Sequence, residues 1–131
     1  MTRLTPYLTF PGTARQALTF YQEVFGGVLV LNTLADFGRD DGPADAIAHG
    51  MLSGPVELFG SDAVGDEPTA RLDGVRLALL GTADPGTLET WFTGLCDGGA
   101  DVDPLQRRPW GAHDGQVTDR FGVRWLVGYE D

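Results

Sequence analysis

The sequence contains no lysine, and all nine of its basic residues are arginine. Schiff-base enzymes and nucleotide-binding phosphate loops each depend on a lysine, so the sequence excludes both classes. Serine occurs only at Ser53 and Ser61, and neither lies in the Gly-x-Ser-x-Gly turn of a serine hydrolase. No Gly-x-Gly-x-x-Gly motif follows a predicted strand, so the sequence does not favour a dinucleotide-binding fold.

Cysteine and long apolar runs are scarce as well. Cys96 is the single cysteine, so no internal disulfide is possible and a cytoplasmic location is predicted. Apolar runs are as short as Leu77–Leu80, far below a bilayer span, and the opening residues are not predicted to be a signal segment. The formal net charge of -10 argues against nucleic-acid or membrane partners, because both are anionic.

Apolar residues at helical spacing predict two helices. The first covers about Ala14–Phe25, and Thr13 with Gln16 forms a predicted capping box before it. The second covers about Pro85–Cys96, with Asp84 as its cap. Both end at a Gly-Gly pair, and their aromatic residues match at an offset of about half the chain, which indicates an internal repeat.

Strand-like runs surround each helix in the same order. One precedes the helix and three follow it, which predicts an α+β protein made of two βαβββ modules. The modules span about residues 1–62 and 74–131 of one predicted domain, 1–131, and the segment Asp36–Asp45 is predicted to be a mobile loop. The predicted strands are Tyr7–Phe10, Val28–Leu31, Ala46–Leu52, Val56–Phe59, Val75–Leu80, Val102–Arg107, Gln116–Thr118 and Val123–Val127.

Several stretches resemble one protein family. They are Pro6–Ala14, Phe25–Gly27, Ile47–Gly50, Gly60–Ala63, Trp110–Gly111 and Gln116–Trp125. Together they resemble the PhnB-like branch of the vicinal-oxygen-chelate superfamily, which includes glyoxalases, bleomycin-resistance proteins and dioxygenases. The resemblance implies a cupped, eight-stranded pseudo-barrel around a cavity, usually assembled as a homodimer.

The resemblance also bears on metal binding. The superfamily's best-known members hold a metal by one ligand on each of four strands, and the matching positions are Pro6, Glu57, Arg76 and Leu126. Only Glu57 carries a side chain that can bind a metal, since proline and leucine offer no donor and arginine is a cation. We therefore expect no metal and no other cofactor. A demethylubiquinone methyltransferase label attached to some PhnB-like proteins finds no support, because the glycine-rich loop of a methyl-donor site is absent.

Five residues are candidate ligand contacts: His49, Glu57, Phe59, Arg76 and Trp110. His49 is either a base or hydrogen-bond donor in a pocket or a buried histidine bonded to backbone, and Glu57 is either a cavity carboxylate or a solvated strand residue. Arg76 is a partner for Glu57, an anion contact or a surface residue. Trp110 is a cavity wall, a core residue or a dimer contact, and it follows the positive pair Arg107-Arg108.

Three further residues are predicted to have structural roles. Asp119 and Gly122 are predicted to shape the turn before the last strand, and Asp62 is a possible cap of the linker between the modules.

For function, we predict a metal-free protein that binds a small molecule. The alternative is a lyase, isomerase or dioxygenase that uses a noncanonical metal or His49 and Glu57. The sequence does not name the ligand.

Overall fold

The computed structural model describes residues 3–131 and divides into two compact units, one ending at Ala70 and the other beginning at Arg71. The first unit contains β1 (Tyr7–Phe10), α1 (Ala14–Phe25), β2 (Val28–Thr33), a 3₁₀ helix (Ala35–Phe37), β3 (Ile47–Ser53) and β4 (Leu58–Asp62). The second contains β5 (Leu77–Leu80), α2 (Pro85–Cys96), β6 (Ala100–Arg107), β7 (Ala112–Thr118) and β8 (Arg124–Glu130).

The two units have the same topology. The first sheet has the strand order β1-β4-β3-β2 and the second has the order β5-β8-β7-β6. In each, the strand before the helix pairs in parallel with the last strand of the unit, and the remaining pairs are antiparallel. The predicted α+β class and the two βαβββ modules are confirmed. The strands pair as two four-stranded sheets, not as a closed barrel.

Both helices occupy their predicted ranges. Asp84 caps α2 as predicted, because its Oδ1 accepts the N–H of Thr87 at 2.8 Å. Hydrogen bonding by the side chain and backbone of Thr87 lowers the pKa of the Asp84 carboxyl. Each helix has 12 residues, and no helix within residues 3–131 is long and apolar enough to cross a membrane.

The predicted capping box of α1 is wrong, because the Thr13 side chain makes no capping hydrogen bond. Asp62 caps this helix instead: its Oδ1 accepts the N–H of Ala14 at 2.9 Å, and its Oδ2 accepts the N–H of Ile47 at 2.8 Å. The parallel register pairs Phe10 with Asp62, which places the carboxylate beside the start of α1. Asp62 therefore joins three elements and does not cap the linker.

The second unit also has a buried aspartate, in the turn between β7 and β8. Asp119 Oδ1 accepts the N–H groups of Phe121 and Val123 at 2.8 and 3.1 Å, and its Oδ2 accepts Nε1–H of Trp125 at 2.9 Å. Asp119 is only 3% exposed and Trp125 only 1%. The predicted role of Asp119 in shaping this turn is confirmed.

Two predicted strands begin later in the structure than expected, and this matters for the site. β4 begins at Leu58 and β5 at Leu77, so Glu57 and Arg76 lie just before their strands. β1 begins at Tyr7 as predicted, and the carbonyl of Pro6 just before it accepts the N–H of Phe59 at 3.0 Å. The predicted loop Asp36–Asp45 overlaps the 3₁₀ helix and contains an ion pair between Arg39 and Asp41.

Replacing Asp62 with alanine should lower the free energy of unfolding by roughly 2–4 kcal/mol, because two buried N–H groups lose their acceptors. Asp62→Asn should lose less, since its amide oxygen can still accept one bond. Urea denaturation of both variants measures this, with Asp66→Ala, an exposed linker residue, as the control. An Asp62→Ala protein as stable as the control would contradict the capping role.

Candidate functional site

The first sheet has one face covered by α1 and one face free of it. Buried residues such as Leu8 and Leu52 alternate along the strands on the helix side, and Gly50 has no side chain where Leu18 of α1 approaches. The residues between them point the other way because strand side chains alternate. This second face, called the open face below, carries Tyr7 from β1, His49 from β3 and Phe59 from β4.

Three rings meet on the open face. The Tyr7 hydroxyl lies 3.0 Å from His49 Nδ1, and the two rings stack with centroids 5.6 Å apart. Phe59 meets His49 edge-on, at 5.9 Å between centroids and 74° between planes. His49 is half-buried and Tyr7 is 50% exposed. His49 is therefore a surface-facing residue bonded to a phenol, and not the buried histidine of the alternative interpretation.

Glu57 lies two residues before Phe59 and is held by its own unit. Its Oε1 accepts Nη1–H of Arg3 at 3.1 Å, and its Oε2 accepts the Thr5 hydroxyl at 3.4 Å. The glutamate side chain is 27% exposed, so this pair is partly shielded from solvent. The partner of Glu57 within its own unit is Arg3, and the pairing with Arg76, which lies in the second unit, stays a prediction.

Arg76 belongs to the second unit. Its Nη1 donates to Gln116 Oε1 at 3.3 Å, and Gln116 pairs in register with Leu126 of β8. Tyr129 of β8 bonds to Glu89 of α2, so odd-numbered residues of β8 face the helix and Leu126 faces away from it. Arg76, Gln116 and Leu126 thus share the face of the second sheet opposite α2.

Trp110 lies in the turn between β6 and β7 and is 73% exposed in this chain, which rules out the core interpretation. The arginines before it are not a free positive cluster. Arg107 pairs with Asp131 at 3.3 Å, and Arg108 pairs with Asp114 at 2.8 Å and with Asp103 at 2.9 Å. Hydrogen bonds from His113 and Arg107 lower the pKa of the Asp131 carboxyl.

The four positions implied for a metal do not form a ligand set. Pro6 and Leu126 have no donor atom, Arg76 is a cation, and both oxygens of Glu57 already accept hydrogen bonds. Within residues 3–131, no group of three or more histidine, cysteine, aspartate or glutamate side chains is arranged to hold a metal ion. The residues present therefore do not fit the metal site that the resemblance implies.

Sequence reasoning missed Tyr7, Gln116 and Arg124 as possible site residues. Tyr7 begins a short alternating strand, which indicates a side chain opposite Leu8 but not its contact with His49, 42 positions away. Arg124 sits between buried Val123 and Trp125, and that alternation did signal a residue on the opposite face. The partners of these residues follow only from the strand order.

Comparison with known proteins agrees with this architecture. The model of the glyoxalase/bleomycin resistance protein/dioxygenase superfamily matches residues 3–127. The chain belongs to this superfamily. A curated relative, protein YjdN of Escherichia coli, is 28% identical over 141 aligned positions that cover 95% of this chain and 92% of that protein.

Solved structures show the same fold for this superfamily member. Protein PA1353 from Pseudomonas aeruginosa is 33% identical, with a TM-score of 0.79 and coverage of 99% of this chain and 98% of that one. A PhnB protein from Bacillus cereus, described as a 3-demethylubiquinone-9 3-methyltransferase, is 22% identical with a TM-score of 0.74 and coverage of 98% and 99%. The resemblance to PhnB-like proteins is confirmed, and the second comparison bears on fold alone.

Proposed function

We propose that this superfamily member binds a small organic molecule on the open face of the first sheet, without the metal used by its best-known relatives. The contact of His49 with Tyr7 and Phe59 is the observation that carries the proposal. Small-molecule sites are lined mainly by apolar and aromatic side chains, with a few polar groups that fix the ligand's orientation. The proposed ligand is flat and carries a hydrogen-bond acceptor.

The rings supply the apolar part of this site. Tyr7 is 50% exposed, and Val30 on the same face is 44% exposed. Tyr7 on β1 pairs in register with Phe59 on the adjacent strand β4, and rings on neighbouring strands make a surface on which an aromatic ligand can stack. Phe59 also contacts His49 on β3, and Val30 lies beyond them on the opposite edge strand, β2.

His49 supplies the polar part. The Tyr7 hydroxyl bonds to Nδ1 and holds the orientation of the imidazole ring. Nε2, the other ring nitrogen, is then the atom that we propose to bond to an oxygen or nitrogen of the ligand.

Substituting His49→Ala should weaken ligand binding by about 1–3 kcal/mol, the usual cost of losing one buried hydrogen bond or aromatic contact. Tyr7→Phe should weaken it less, because it keeps the ring and removes only the bond to Nδ1. The measurement is saturation-transfer NMR with a panel of neutral aromatic compounds, followed by calorimetry of those that bind. Phe37→Ala, an exposed apolar residue of the same unit, is the control. Equal binding by His49→Ala and the parent would remove His49 from the site.

Elemental analysis tests the metal-free part of the proposal. We expect purified protein, incubated with zinc, nickel, iron or manganese and then dialysed, to retain less than stoichiometric metal, because the four superfamily positions provide one carboxylate at most. Stoichiometric metal that is lost in Glu57→Ala would place a noncanonical site there and contradict the proposal.

The hydrogen bond between Tyr7 and His49 also favours a second candidate, an isomerase or lyase that transfers a proton through His49. Imidazole is the commonest general acid or base in enzymes, and a hydrogen-bonded phenol can hold it in position for proton transfer. Glu57 suits this chemistry less, since Arg3 and Thr5 already bind its oxygens. Mass spectrometry of bound compounds separates the candidates: a binder returns them unchanged, and an enzyme returns products whose formation stops in His49→Ala.

We also propose that the protein forms a homodimer in the cytoplasm. The indole of Trp110, 73% exposed in the single chain, is available to a second copy or to a ligand. Light scattering should give twice the 14.0 kDa chain mass. Trp110→Asp should yield monomers if Trp110 is a dimer contact, or dimers that bind ligand more weakly if it is a cavity wall. A parent protein that is monomeric at micromolar concentration would contradict the homodimer.

A further inference from the structure

Two arginines of the second sheet share a single neutral acceptor. Arg76 Nη1 and Arg124 Nη2 both approach Gln116 Oε1, at 3.3 and 3.4 Å. All three residues lie on the face of the sheet opposite α2. Two guanidinium groups that bond to the same oxygen are close together, and like charges at short range repel each other unless a counterion intervenes.

No carboxylate of the described chain neutralises this pair. The sequence has 19 acidic residues against 9 arginines, and Arg3, Arg39, Arg107, Arg108 and Arg120 each form an ion pair. Within residues 3–131, neither Arg76 nor Arg124 does so. Asp73 and Asp101 line an adjoining hollow with Arg124 without forming an ion pair with it.

Arg124 is held in place by uncharged groups. Its Nη1 donates to the carbonyl of Asp101 at 2.8 Å and to the Thr118 hydroxyl at 3.0 Å. Asp101 has φ 52°, the left-handed region, and within residues 3–131 it is the one non-glycine residue with a positive φ. Aspartate tolerates this region better than most residues. Arg124 therefore bonds to the backbone carbonyl of Asp101, whose φ is positive, and forms no ion pair with the Asp101 carboxylate.

A hollow opens beside the two guanidinium groups. It has a volume of about 290 Å³, and its lining comprises Leu72, Gly74, Val75, Arg76, Gln116 and Arg124. Apart from the arginines and Gln116, the lining is apolar side chains and glycine. An oxyanion entering it would meet the two cations and no lining carboxylate.

We propose that Arg76 and Arg124 bind an oxyanion, a carboxylate or phosphate group of a small molecule, in this hollow. The planar fork of an arginine matches either group with two parallel hydrogen bonds, and the positions of Arg76 and Arg124 let both serve one anion. The side-chain oxygen of Gln116 orients both guanidinium groups by accepting a hydrogen bond from each. The site uses no residue of the open face of the first sheet and goes beyond the function proposed above.

The experiment is titration of ¹⁵N-labelled full-length protein with inorganic phosphate and, separately, with acetate, in a chloride-poor buffer. We expect saturable shifts of the Gly74, Val75 and Gln116 amide signals with at least one anion, and the comparison shows which oxyanion the site prefers. Arg76→Gln should weaken the affinity roughly ten- to a hundredfold, the range for losing charge-assisted hydrogen bonds. Arg107→Gln makes the same change in net charge at an arginine already paired with Asp131 and should bind like the parent.

Gln116→Glu is the sharpest variant, because it replaces an amide with a carboxylate of nearly the same shape between the two guanidinium groups. It should bind neither anion and should unfold at a higher temperature than the parent, since the cations then have an internal counterion. This variant and Arg76→Gln keep the test valid even if Arg124→Gln fails to fold. Absence of saturable shifts with both anions at millimolar concentration, or equal losses in Arg76→Gln and Arg107→Gln, would overturn the proposal.

Discussion

A carboxylate in a protein interior must be hydrogen-bonded, and this constraint organises both units of the protein. Asp62 is 7% exposed and accepts two backbone N–H groups, one at the start of α1 and one at the start of β3. Asp119 does the same for the turn before β8 and also holds the indole of Trp125. Each carboxylate fixes chain segments that apolar packing alone would position less tightly.

The placement of these segments decides which side of each sheet is available for function. The helix of each unit packs on one face, where the buried aliphatic and aromatic residues gather. The other face retains side chains that a core would not tolerate, including His49 with its phenol partner and Arg76 with Arg124. The candidate sites thus follow from strand alternation once the helix has taken its side.

The chain is acidic and has arginine but no lysine, and only some of its arginines form ion pairs. Arg107 and Arg108 follow one another in sequence and look like a positive patch, yet aspartates neutralise both. Arg76 and Arg124 are far apart in sequence, yet the pairing of β7 with β8 brings them to one glutamine. Sequence proximity therefore does not show which arginines form ion pairs, because cross-strand neighbours determine the local field.

The sequence by itself determined both helices to the residue, the repeated βαβββ order and the family, since helical periodicity and turn glycines are local signals. It also showed that Pro6 and Leu126 cannot bind a metal, which depends only on residue type. Only the tertiary structure decided that Asp62 caps α1, that Glu57 pairs with Arg3 and that Tyr7 contacts His49. These contacts join residues 42 to 54 positions apart, and they depend on strand order and register, which no local pattern encodes.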